Sequence, residues 1–285
     1  MMNNATIVAR TDAINDILTA KDALFRVRPD CVSKNGRLLD TLVLSSEELP
    51  GDMRIYPNAS FWDETDKQIV EDLEEMFRSR ISVDGLHECL EPDRIRATIL
   101  PRVSSANHID ELLTQGLACF QDLDLVFSFV IPYTESECEH AQIRVSNALL
   151  KSAGITLDEA IACAKQNARE DVSLETLSSV ISTMTGMPGP ADDSLWILSN
   201  SSRIYGSGVL LCRDVLQNVA DLLGTNRLTI LPSSVHEVLC LKDGEMDPAG
   251  LLEMVTEINA TQVIPEDRLT DNVYFLHDGM LEALV

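Results

Sequence analysis

His236 and Glu237 are neighbours in the chain, and they pair two side-chain types often used to move protons. Ser233 and Ser234 lie just upstream, and Ser207 sits between Gly206 and Gly208. A serine hydroxyl becomes a nucleophile when an adjacent base takes its proton, so His236 with Ser234 or Ser207 would be an acyl-transfer pair. The spacing argues against that chemistry. A nucleophile elbow needs Gly-x-Ser-x-Gly, and Gly206-Ser207-Gly208 is too short. The same glycines at a helix start could hold an anion on free amides, but no Walker-type lysine follows. Close packing of backbone is the expected reason for them. No residue is assigned as catalytic.

Strand geometry separates the His-Glu pair. If 235–241 is a strand, His236 shares a face with Val238 and Cys240, and Glu237 shares the other with Val235, Leu239 and Leu241. His236 is then expected to be a structural histidine capping the turn at 232–234. Glu237 is a partly buried carboxylate that needs a partner. The alternative is a pocket on which Asn200, Ser207, Ser234, His236 and Glu237 converge. Cys138-Glu139-His140, with Glu135 and Glu137 nearby, lacks a second Cys/His pair, so neither a metal site nor a cofactor is expected. The amides of 259–262 are expected to bond loop backbone and fix the crossing to the last strand.

The elements that must position these groups come from apolar patterning. Leu195 to Leu198 is a short apolar run that fits a buried strand, and apolar positions from Val209 to Leu223 recur near helical spacing, with Gly224 as C-cap. Residues 228–231 and 235–241 flank a bend at Pro232 and read as a hairpin. These stretches carry a family resemblance. LWILSN at 195–200, the helix start containing Gly206, TILPSSVHEVLCL at 229–241, EINATQV at 257–263 and LTDNVY at 269–274 resemble domain-of-unknown-function family 5688. The match is strongest over 195–277 and runs collinearly back to about Leu24. The resemblance implies a soluble protein of gut-type anaerobic bacteria with no established activity, and it supplies no catalytic residues to transfer.

Upstream, residues 1–9 lack a strong pattern and 12–23 reads as a short amphipathic helix. Asn35-Gly36 between 25–32 and 38–44 is a strong hairpin signal, with a third strand at 53–56. A helix is expected over 64–81, with Asp63 as N-cap and Ile69, Val70, Leu73, Met76, Phe77 and Ile81 inward. Its other side carries Asp66, Glu71, Asp72, Glu74 and Glu75. That side is a solvated face or an acidic contact surface. Pro92 starts a short helix, 97–100 is a short strand, 117–131 is a strand, and 141–149 resumes after a polar loop as its hairpin partner. Thr156-x-x-Glu159 opens a helix, and Ser173 opens another that Gly186 closes. Asp247-Pro248 is an N-cap with proline at N1, 273–276 is the last strand, and 279–285 is a tail.

Hairpins followed by helices give an α+β fold, with antiparallel sheets and amphipathic helices packed on them. The segment 187–194 separates an N-terminal α+β region, 1–190, from a C-terminal one, 191–285, unless the two form one continuous domain.

Net charge is −24, from 46 acidic and 22 basic residues. That disfavours direct nucleic-acid binding and docking on an anionic membrane, both of which need a basic surface. No apolar run is long enough to span a bilayer, and no secretory leader is visible. Seven scattered cysteines without a C-x-x-C read as reduced, buried thiols in the cytoplasm. The expectation is a non-enzymatic cytoplasmic protein that binds a protein partner, in one version a basic, nucleic-acid-binding one that it inhibits or mimics a ligand of. An enzyme or small-ligand binder using the 200–237 pocket is the alternative, and a structural module in a larger assembly is a third.

Overall fold

The computed structural model describes residues 4–34, 36–49, 51–80, 87–132, 142–187, 194–244 and 247–284. Contacts divide the chain into two units, one of Met1–Glu91 with Tyr133–Ala141 and one of Pro92–Pro132 with Gln142–Val285. The fold is α+β, with antiparallel sheets throughout.

In the first unit, helix α1 (Asn4–Ala20) precedes the hairpin β1 (Arg26–Lys34) and β2 (Arg37–Ser45), with β3 (Met53–Ile55) added beside β2. Lys34 pairs with Arg37, so the Asn-Gly turn sits where the sequence places it, and Gly36 takes φ 73°. Helix α1 begins well before residue 12. Its early turns present only a few inward side chains such as Ile7 and Thr11, too sparse a stripe to read as periodic. The Asn15 amide clamps Val27, donating to its carbonyl at 2.7 Å and accepting from its N–H at 3.0 Å.

A short helix, α2 (Ala59–Asp63), precedes α3 (Asp66–Arg80). Asp63 therefore closes α2 rather than capping α3. Thr65 is the cap: its hydroxyl accepts from Gln68 N–H at 3.3 Å, and Gln68 Oε1 accepts from Thr65 N–H at 3.1 Å, a reciprocal capping box. Ile14, Leu18, Leu44, Ile69, Val70 and Leu73 form the core of this unit.

The second unit begins with α4 (Pro92–Thr98), so residues 97–98 are helical and strand β4 spans Leu100–Ser105. Helix α5 (Ile109–Thr114) follows. The expected strand 117–131 is itself a hairpin, β5 (Cys119–Asp122) and β6 (Leu125–Pro132), turning at Leu123 with φ 56°. Leu123 carries no turn signature, which is why the run reads as continuous. Strand β7 (Gln142–Arg144) pairs with β6 as expected, and Ser146 then caps α6 (Asn147–Ala153), ending the strand reading there. Strand β6 runs between β4 on one side and β5 and β7 on the other.

Helix α7 (Leu157–Glu170) starts at the Thr156 cap, whose hydroxyl accepts from Glu159 N–H at 3.1 Å. Ser173 does not open a helix. Ser173–Thr176 is strand β8, and Thr176 caps α8 (Leu177–Thr185). Next come β9 (Trp196–Ser199), a 3-10 helix Gly206–Leu211, α9 (Arg213–Leu223), β10 (Arg227–Leu231), β11 (Val238–Lys242), α10 (Pro248–Thr261), β12 (Tyr274–His277) and β13 (Met280–Ala283). Residues 280–283 are thus a strand, not a tail, joined to β12 by an Asp278-Gly279 turn with both φ positive.

These strands form one six-stranded sheet in the order β13-β12-β10-β11-β9-β8. The boundary expected at 190/191 falls between β8 and β9, which pair directly. One sheet face, with Leu198, Leu228, Ile230, Val238 and Cys240, shares a core with α9, the 3-10 helix, and Leu125 and Phe127 of β6. The other, with Leu231, Leu241 and Phe275, packs on Leu251 and Val255 of α10. Asp247 caps α10 with Pro248 at its first position, as expected. Phe129 and Ile131 of β6 meet α4, α6 and α7 in a separate cluster.

Candidate functional site

The candidate residues lie where β9 runs out and the chain returns as the 3-10 helix. Asn200 closes this turn with its side chain, accepting from Ile204 N–H at 3.1 Å and donating to Ile204 O at 2.9 Å. Arg203 and Tyr205 both take the left-handed conformation, with φ 54° and 55°, which costs free energy for residues bearing a Cβ. Two glycines let the segment pass. A Cβ on Gly206 would stand 2.2 Å from Ser199 Oγ, 2.6 Å from Asn200 N and 2.8 Å from His236 O. One on Gly208 would stand 2.2 Å from the Pro101 carbonyl oxygen. Close backbone packing accounts for Gly206-Ser207-Gly208.

The hydroxyls here are committed to backbone. Ser207 is fully buried and its Oγ donates to Val235 O at 2.5 Å. Ser199 Oγ donates to His236 O at 2.8 Å, and Ser234 Oγ accepts from His236 N–H at 3.1 Å. The strand β11 starts at Val238, so His236 and Glu237 lie in the loop before it, and the face alternation applies only from Val238 onward. The loop is held by one bond within it, Ser234 N–H to Glu237 O, and by one to the 265–267 segment, Val235 N–H to Asp267 O.

The His236 ring does something other than cap the 232–234 turn. Its Nδ1 accepts from Tyr205 N–H at 3.2 Å, which puts the proton of the neutral ring on Nε2, 3.5 Å from Asp267 Oδ2. The ring also stacks on Tyr205, centroids 5.3 Å apart at 30°. Nδ1 is occupied and Nε2 faces Asp267, and the hydroxyls of Ser199, Ser207 and Ser234 bond backbone rather than the ring. On the Tyr205 ring stands the guanidinium of Arg102, 4.3 Å from its centroid. Sequence reasoning missed Arg102, because its place depends on the pairing register of β4.

Asn200, Ser207, Ser234 and His236 are therefore brought together, with Glu237 one residue further on. Beside them is a cavity of about 30 Å³ lined by Asn200, Asp171, Ser199, Tyr205, Leu100 and Val130 among others. That is room for a water or two, well below the roughly 300 Å³ at which small-molecule pockets begin. Of the five expected residues, Asn200 alone lines it. Asn259 behaves as expected, bonding Thr270 O at 3.0 Å and Asp271 Oδ1 at 2.8 Å ahead of β12.

On α3 Glu75 is exposed, whereas Asp66 and Glu74 are partly buried. Asp66 pairs with Arg10 at 2.8 Å, and Glu74 pairs with Lys21 at 2.6 Å and Arg78 at 3.2 Å. Glu71 and Asp72 stay exposed. Desolvation, with Asp72 beside it, holds the Glu64 carboxyl above its ordinary range.

Burial raises the thiols of Cys212, to about 11, and of Cys240, to about 12. Only these two cysteines are buried among the described residues; Cys31 is exposed. No group of three or more potential metal ligands is found among the described residues. Residues 135–140, the loop cluster considered above, lie outside them. No helix among the described residues is long and apolar enough to cross a membrane.

A family model described as a family of unknown function (DUF5688) matches residues 11–277. The chain belongs to this family. The DUF5688 match reaches further upstream than the sequence motifs suggest, draws on both units, and contains every residue of the candidate pocket. No curated protein and no solved structure matches the chain.

Proposed function

We propose that this DUF5688 member is a non-enzymatic protein of the cytoplasm that works by binding a basic protein partner. The observation that carries the reading is the net charge of −24. A field of that size steers cationic surfaces toward the chain and repels nucleic acid and anionic membranes. The α3 surface is the contact favoured within that field. Glu71 and Asp72 are exposed there, and the Glu64 carboxyl is crowded by Asp72, a like-charge contact that an incoming cation relieves. The occupied hydroxyls of Ser207 and Ser234 support a role without nucleophilic chemistry.

The test is affinity capture from a bacterial lysate at low and high salt, read by mass spectrometry, with a charge-matched acidic protein as control. A Glu71→Lys/Asp72→Lys double variant runs alongside. Proteins held at low salt by this chain alone, released near 1 M salt where the screening length falls to about 3 Å, and lost from the double variant are the expected result. A catch identical to the control's, or one indifferent to salt and to the double variant, overturns the reading.

A further inference from the structure

We propose that the face of the four-stranded sheet centred on Arg102 is a binding site for a phosphoryl group. Four polar residues of that sheet are buried: Arg102 is 8% exposed, Ser104 3%, Ser128 4%, and Ser105, whose hydroxyl accepts from Asn107 N–H, 7%. Their polar atoms are not closed off: among the described residues the fully buried side-chain nitrogens and oxygens without a partner are Glu64 Oε2 and Gln142 Oε1, so the polar atoms of Arg102, Ser104 and Ser128 keep contact with solvent. In the same unit Arg96, Arg169, Arg203, Arg213 and Arg227 each hold a carboxylate. The Arg102 guanidinium has neither a hydrogen bond nor an ion pair among the described residues; its contact is the face of Tyr205. The hydroxyls of Ser104 and Ser128 likewise lack a hydrogen bond among the described residues. In a chain with 46 acidic residues, Arg102 meets no carboxylate among the described residues, which leaves its fork open to a ligand.

The three groups share one place. Arg102 and Ser128 are direct partners across β4 and β6, so their side chains leave the sheet on the same face with Cβ atoms about 4.5–5.5 Å apart. Ser104 follows Arg102 on that face, one strand repeat along. Together they offer a guanidinium fork and two hydroxyls to a single oxyanion. Donors from several directions suit the oxygens of a tetrahedral phosphoryl group better than a planar carboxylate, and the fork pairs with phosphate through two parallel bonds. Tyr205 fixes the fork from behind, and His236 fixes Tyr205 through its amide and its ring. This gives the left-handed Tyr205 and its histidine a purpose: they are positioning residues for Arg102. The site belongs to the second unit, and the proposal does not rest on the acidic α3 surface of the first.

The experiment is isothermal titration of the full chain with inorganic phosphate, with acetate at matched ionic strength as comparison. Saturable phosphate binding, at least about ten-fold tighter than acetate, is expected. Arg102→Met, which keeps the length of the side chain, abolishes it; Ser128→Ala, which leaves the arginine in place, weakens it about ten-fold, the loss expected for one bond to a charged group. Circular dichroism checks that each variant is folded, and Ser128→Ala decides between the outcomes even if Arg102→Met does not fold. No saturable phosphate binding, acetate binding as tight as phosphate, or phosphate affinity unchanged in Ser128→Ala and in folded Arg102→Met overturns the proposal.

Discussion

Gly208→Ala is the sharpest test of how the candidate region is built. The new methyl would stand 2.2 Å from the Pro101 carbonyl oxygen, 3.0 Å from its carbon and 3.1 Å from its Cγ. An ordinary contact needs more than an ångström of additional separation at the oxygen. Neither side yields cheaply. Pro101 belongs to β4, which is paired to β6 from Leu100 to Ser105, and Gly208 leads into Val209, Leu210 and Leu211, all buried in the central core. Overpacking a tight core costs about 1–3 kcal/mol, and the upper end applies where the obstacle is backbone rather than a rotatable side chain. A loss of about 3 kcal/mol is expected. The assay is urea unfolding followed by the emission of Trp196 in β9. A Trp62→Phe background silences the tryptophan of the other unit, which leaves Trp196 as the probe. With a slope of about 2 kcal/mol per molar urea, the midpoint drops by about 1.5 M. A midpoint shift below about 0.25 M refutes the close-approach account of this glycine.

Gly250→Ala, in the first turn of α10 with nothing within 4 Å of the added methyl, stabilises the protein by about 0.5–1 kcal/mol in the same unfolding assay. Tyr274→Phe removes the bonds of a buried hydroxyl to Asp124 at 2.6 Å and Thr270 at 3.2 Å, and lowers stability by about 1.5–3 kcal/mol. Cys240 is raised to about 12 in the folded state, so the unfolded thiol ionises first as pH climbs. Its contribution is whole below the unfolded value near pH 9, as is that of Cys212, raised to about 11, and each is lost as pH rises toward the folded value. Stability measured from pH 9 to 11 should fall less steeply in Cys240→Ala than in the parent. At pH 8 a thiol reagent should label exposed Cys31 in the native protein and spare Cys212 and Cys240.

Much of the fold could be read locally. The Asn-Gly turn, the Thr156 cap, Gly224 and Asp247-Pro248 are short-range signals whose physics is complete within a few residues, and each stands where expected. The misreadings need long-range information. Ser173–Thr176 is a strand because β9 is there to pair with it, although its apolar spacing continues into a helix. The hairpin inside 117–131 turns on a leucine held in the left-handed region, which composition cannot announce. At the candidate site, the close packing at the glycines is readable from spacing, whereas the approach of Asn200, Ser207, Ser234 and His236 is only one of two alternatives the sequence leaves open. What the histidine holds is not readable from spacing. The Tyr205 amide is 31 positions away in sequence, and Arg102 becomes visible only once the β4–β6 register is known.

The order of the six-stranded sheet bears on how the chain finds it. Strands β10 with β11 and β12 with β13 are hairpins of neighbouring segments, so each can form before the rest of the sheet exists. The remaining pairings differ. Joining β9 to β11 closes a loop that contains the 3-10 helix, α9 and β10, and joining β10 to β12 closes one that contains β11 and α10. These closures lose the most chain entropy and return little until α9 or α10 has a sheet face to bury against. The β10–β11 hairpin takes part in both, since one of its strands receives β9 and the other β12. Substitutions within it should slow refolding, and those in β13 at the sheet edge should mainly speed unfolding.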